Sequence, residues 1–155
     1  MTLQRKDWIH ALTAHPASTL VDLAARLSRD WAVTLLCLPQ AGLGLLQLRE
    51  GAFNETFFLG EFPLSTCSVE LNLPDGRRAR GGAQVMADNA DLARALAILD
   101  GVLAAELPGW EMAAEYVHSG DAQRRHEARR RHAMLKQTRV DFALLSTAEE
   151  DDNAG

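Results

Sequence analysis

Apolar positions near the start of the chain recur at helical spacing. Trp8, Leu12 and Ile9 form one stripe, and Leu20, Leu23, Ala24 and Leu27 form another, with Pro16 as a break and Ser18 as a plausible N-cap between them. From Trp31 the pattern becomes strand-like. Residues 31–38 (WAVTLLCL) are apolar on both alternations, as in a central strand; Pro39 to Gly42 reads as a turn, and residues 44–49 return. Two more runs follow at 55–63 and 66–73. The second has the clearest period of two, with Cys67, Val69, Leu71 and Leu73 on a core face and Thr66, Ser68, Glu70 and Asn72 on a wet one. Pro74-Asp75-Gly76 is a tight turn, and residues 78–86 continue as a fifth strand weakened by Gly81 and Gly82. Strands joined by such short turns must be antiparallel.

Asp88 or Asn89 caps a long helix over about 89–107, stopped by Pro108-Gly109; Leu92, Leu96, Leu99 and Leu103 give it a stripe that packs on the sheet. A further helix over 122–139 has little to bury beyond Ala128, Ala133, Met134 and Leu135, so it reads as an arm that lies on another molecule. The expected fold is α+β: an antiparallel sheet of four or five strands, N-terminal helices, one long packing helix and a C-terminal helical arm. Residues 1–145 form a single domain that includes the arm at about 122–145, and 146–155 form an acidic, disordered tail.

Charge sharpens the reading of the arm. The chain carries −5 overall, yet residues 121–139 hold seven Lys/Arg against two acids, and RRHEARRRH (124–132) concentrates five of them. Arg125, Arg129, His132 and Lys136 share one helical stripe that could follow phosphates. An acidic chain with no aromatic residue between these arginines argues for a solvated or partner-facing helix instead. His126-Glu127 and His132 look like a zinc motif, but six residues of helix turn the two imidazoles ~120° apart, so they cannot share an ion. Residues 18–31 resemble the first helix of a helix-turn-helix, yet an apolar strand follows where a recognition helix is required. A winged-helix-like DNA-binding regulator stays as the alternative. Cys37 and Cys67 are thirty residues apart with no C-x-x-C, which fits two reduced core cysteines. No apolar run approaches a membrane span and no secretory signal opens the chain, which points to the cytoplasm.

Several stretches together resemble the G subunit (PhnG) family of the bacterial carbon-phosphorus lyase system. They are Arg5-Lys6-Asp7-Trp8 with Leu12, Phe58-Leu59-Gly60-Glu61, Cys67-Ser68-Val69 with Leu71, Asp75-Gly76, and Thr138-Arg139-Val140-Asp141-Phe142 followed by Leu144-Leu145. The order is consistent over about residues 5–145. The chain departs from the family's pattern at Thr66, where an arginine is usual, at Met86-Ala87 ahead of the long helix, and at Ser146-Thr147. The resemblance implies an accessory subunit without catalytic residues of its own. It would belong to a cytoplasmic complex with I, H and J type subunits, a transferase that makes ribose 1-phosphonate 5-triphosphate from ATP and an alkylphosphonate with release of adenine. MgATP would be a substrate of the assembled complex, with no cofactor, metal, membrane or nucleic acid bound by this chain alone. Arg125, Arg129, Lys136, Arg139, Asp141 and Phe142 are the candidates for contacting partners or phosphate.

Overall fold

The computed structural model describes residues 3–137 of the chain. The elements run α1 (Arg5–Leu12), α2 (Ala17–Leu27), β1 (Ala32–Arg49), β2 (Thr56–Asn72), β3 (Arg78–Val85), α3 (Ala90–Ala104) and α4 (Trp110–Gln137). The chain divides into two compact units, Met1–Ala122 and Gln123–Gly155. Among the described residues the second unit contains only the end of α4.

The first unit is α+β. Its sheet has three antiparallel strands in the order β1-β2-β3, not four or five. The difference arises because β1 absorbs both runs expected at 31–38 and 44–49, and β2 absorbs those at 55–63 and 66–73. Pro39 makes no turn. It sits where the β1–β2 register shifts between Cys37 and Gln40, a bulge that tolerates a residue without an N–H. Pro63 pairs with Leu43 beyond the last β2–β3 pair, Ser65 with Val85, so it lies where β2 is itself an edge.

The period of two at 66–73 behaves as the alternation requires: Cys67, Val69, Leu71 and Leu73 are buried, and the residues between them are half-buried. That face meets α3. Asn89 caps α3, its side chain accepting a hydrogen bond from the Leu92 backbone N–H at 2.9 Å. The stripe Leu92, Leu96, Leu99 and Leu103 is buried, but so are Ala93, Ala95, Ala97, Ile98 and Val102, because α3 is covered by the sheet on one side and by other helices elsewhere. A single stripe therefore understates its burial.

Glycines set the α3–β3 distance. A Cβ on Gly81 would run into the Ala97 carbonyl oxygen and lie 2.5 Å from the Gly101 nitrogen, while one on Gly101 would meet Leu71 at 2.9 Å. Gly81 thus marks a close backbone approach, and the strand continues through it.

α2 packs on α3 through Leu20, Leu23 and Ala24. Pro16, without a side-chain bond, occupies the N-cap position, and Ser18 lies inside the helix instead of capping it. The last helix begins at Trp110, earlier than the expected 122: Ala113 and Val117 are core residues, and Gly120 lets α4 approach the Ala11 carbonyl. The expected end at Arg139, the acidic tail, and the departures at Ser146 and Thr147 lie outside the described residues.

Candidate partner-binding surface

β1 and β2 extend past β3. Residues 65–72 of β2 have β3 on one side and β1 on the other, whereas residues 56–64 pair with β1 alone. The distal half of the hairpin is a two-stranded ribbon, a structure marginal in water without something to pack on. Gly44 and Phe62 face each other across it, and the aromatic ring covers the glycine so closely that a Cβ there would sit 2.5 Å from Phe62 Cζ. At the tip, the Glu50 N–H donates to the Glu55 carbonyl at 2.8 Å, Arg49 Nη1 donates to Asn54 Oδ1 at 3.3 Å, and Asn54 takes φ +59°, which asparagine tolerates.

The ribbon is apolar and wet at once. Of the fifteen large hydrophobic side chains exposed among the described residues, eleven lie between Leu35 and Leu59; Leu38, Leu43 and Phe53 are each more than two-thirds exposed. Neighbours such as Leu35-Leu36 and Leu45-Leu46 point to opposite faces, so both faces are apolar. The reading of 31–38 as a buried central strand is overturned: β1 is an edge strand, and its double alternation of apolar residues is exposed. Cys37 is corrected with it, being exposed on this strand, whereas Cys67 is buried and burial pushes its thiol up. A monomer seldom presents such a patch or a long open strand edge.

A second arrangement anchors the opposite end of the domain. Arg5 donates from Nε to Asp100 Oδ1 at 2.9 Å and from Nη2 to Asp100 Oδ2 at 2.7 Å, and the Gly82 N–H donates to the same Oδ2 at 3.0 Å. The Asp100 side chain is only 6% exposed, against 55% for Arg5. The Asp100 carboxylate, chiefly through its hydrogen bonds, raises the Arg5 guanidinium above its usual range. One carboxylate thereby joins α1, α3 and β3. At the other end of α3, Ser65 Oγ donates to the Ala87 carbonyl at 2.6 Å and accepts from the Asn89 N–H at 3.0 Å, which fixes the entry to that helix.

The predicted site residues are dispersed differently. Arg125, Arg129 and Lys136 are all exposed on α4 within the second unit, and helical spacing places them on one side of it. Ala128, Ala133, Met134 and Leu135 are exposed there too. Arg139, Asp141 and Phe142 lie outside the described residues. Thr66 stands half-buried against Gln84 of β3, and the Ala87 carbonyl is the acceptor of Ser65, so both departures occur at ordinary structural positions. α2 runs directly into β1, so no second helix follows residues 18–31 as the first helix of a helix-turn-helix requires, and nothing favours the DNA-binding alternative. Among the described residues, no helix is long and apolar enough to cross a membrane.

The family model described as Phosphonate metabolism protein PhnG matches residues 3–146. The chain belongs to the PhnG family. In this PhnG-family protein the matched span takes in both the Arg5–Asp100 clamp and the whole apolar ribbon, so neither is an addition to the family's domain. No curated protein matches the chain with significance.

Proposed function

We propose that this PhnG-family chain is an accessory, non-catalytic subunit of the carbon-phosphorus lyase core complex. Together with I, H and J type subunits it serves the synthesis of ribose 1-phosphonate 5-triphosphate from ATP and an alkylphosphonate, with release of adenine. MgATP enters as substrate of the assembly, and the transferase activity belongs to the assembly. The observation that carries this reading is the β1–β2 hairpin: eleven large apolar side chains are exposed between Leu35 and Leu59, and eight of them, from Leu43 onward, lie on the two-stranded extension or its tip, beyond the reach of β3. A partner that covers it removes the penalty of hydrating those side chains and gives the ribbon the third layer it lacks.

The cationic end of α4 is the second contact in this proposal. Arg125, Arg129 and Lys136 present guanidinium and ammonium groups along one side, suited to partner carboxylates or to a bound triphosphate. The test is co-expression with the I, H and J type subunits, followed by purification through a tag on the I type subunit. The full chain co-purifies, and a chain lacking residues 122–155 does not. Unchanged assembly of the truncated chain would remove the arm from the proposal. Equal nucleotide affinity of assembled wild-type and charge-neutralised complexes would remove the triphosphate contact.

A further inference from the structure

A cavity of about 300 Å³ opens where the start of the chain, the end of α3 and the first turns of α4 meet. Its walls include Trp8, Leu103, Trp110 and Val117, and the ionisable residues on it are Glu106 and His118. Trp8 Nε1 is already engaged, donating to the Leu3 carbonyl at 3.3 Å, so Trp8 offers ring surface to the cavity. Among the described residues no Lys or Arg lines it.

Glu106 stands out by its backbone. It follows the α3 C-cap residue Ala105 and takes φ +46°, while the Leu107 N–H reaches back to the Val102 carbonyl at 3.0 Å. This is the helix-ending turn whose left-handed position normally holds glycine, because a side chain there is strained. The next left-handed residue along the chain, Gly109, is a glycine. The strained position instead holds an exposed glutamate, and Glu106 is one of the residues lining a cavity that also has two tryptophans on its walls. Strain of this kind collects at sites that use it.

From this we infer that the cavity binds an organic cation of the guanidinium or alkylammonium class, held by the Trp8 and Trp110 rings with Glu106 as counter-charge. Aromatic surface attracts such cations. A phosphate or carboxylate would meet Glu106 with no lysine or arginine among the described lining residues to offset it, and a neutral apolar ligand would gain nothing from that carboxylate. The surrounding unit favours the same sign, since residues 1–122 hold nine Lys/Arg against fifteen Asp/Glu. The inference stands apart from the assembly role. The cation's source is either an arginine or lysine side chain of another protein or a free quaternary amine.

The test is tryptophan fluorescence of the full chain at pH 8, where an ordinary imidazole is neutral, at constant ionic strength. The probes are Nα-acetyl-arginine amide, tetramethylammonium, and the neutral Nα-acetyl-citrulline amide. At least one cation should quench saturably, with the citrulline compound at least roughly tenfold weaker, and Glu106→Gln should abolish that preference. Tighter binding of the arginine compound assigns a protein side chain, and tighter binding of tetramethylammonium assigns a free amine. Glu106→Gly should lose binding while raising Tm by about 2–4 °C, separating a ligand role from a structural one. Equal binding of the citrulline compound, no saturation by either cation, or unchanged cation binding by Glu106→Gln would overturn the inference.

Discussion

Gly81 and Gly82 are neighbours on β3, yet an added methyl group should act oppositely at the two. At Gly81 the new Cβ would run into the Ala97 carbonyl and sit 2.5 Å from the Gly101 nitrogen, both backbone atoms of α3, which cannot swing aside as a flexible side chain would. Relief requires α3 to lift from the sheet, loosening its contacts with Leu71, Val69 and Ala83. Overpacking by one methyl in a tight core costs about 1–3 kcal/mol, and an obstacle of backbone atoms puts this case near the upper end. At roughly 2–4 °C per kcal/mol for a chain of this length, Gly81→Ala should lower Tm by about 6–12 °C. At Gly82 the nearest atoms to a new Cβ are the Cys67 carbonyl oxygen at 3.8 Å and Ser68 Cβ at 4.0 Å, an ordinary contact on the exposed face. There the gain from a stiffer unfolded chain should dominate, so Gly82→Ala should be neutral or stabilising by up to about 1 kcal/mol. Thermal unfolding followed by circular dichroism reads both. Equal shifts for the two variants, or a tolerated Gly81→Ala, would refute the close α3–β3 approach.

Two further outcomes follow from the interior. Arg5→Ala strands the buried Asp100 carboxylate; discounted for the exposure of Arg5, it should cost about 1–2 kcal/mol, and adding Asp100→Asn should recover part of that. Purely additive effects in urea unfolding would show that the pair is not coupled. Burial raises the Cys67 thiol, so less thiolate is present at pH 8; Cys37 is exposed. The native chain should therefore show one fast-reacting thiol and one slow thiol toward a disulfide reagent, and two fast thiols in denaturant. Two fast thiols in the native chain would contradict the burial of Cys67.

Much of the domain is legible in the sequence wherever one face of an element is buried. The alternation at 66–73 and the leucine stripe of α3 are such cases, and Asn89 is a cap by its chemistry alone. Proline misleads at 39, where its usual meaning, a turn, gives way to a bulge, and Pro63, read as the end of a strand, is carried inside β2 where that strand has an open edge. The expected start of α4 is 122, but the helix already begins at Trp110, and Gly120 within it serves a close approach to Ala11. The surface was harder to read for a physical reason. Apolar residues on both alternations of 31–38 demand cover on both faces, and a single sequence does not tell whether that cover comes from the same chain. The Trp8–Trp110 cavity was invisible because its walls are a hundred residues apart and its distinguishing feature, a left-handed Glu106, is a matter of backbone torsion.

The central claim is that the apolar ribbon is a subunit interface, and one variant tests it directly. Leu38, Leu43, Phe58 and Leu59 are all more than 60% exposed, and changing them to serine together removes no contact within the domain core. If a partner covers them, each loses about 1.5 kcal/mol or more on assembly, so association should weaken by a factor of roughly 10⁴. Native mass measurement of the complex co-expressed with the I, H and J type subunits reads the result. The account predicts that the four-site variant keeps its thermal stability, becomes more soluble alone and is missing from the complex. A folded variant that still enters the complex at wild-type stoichiometry and affinity would contradict it.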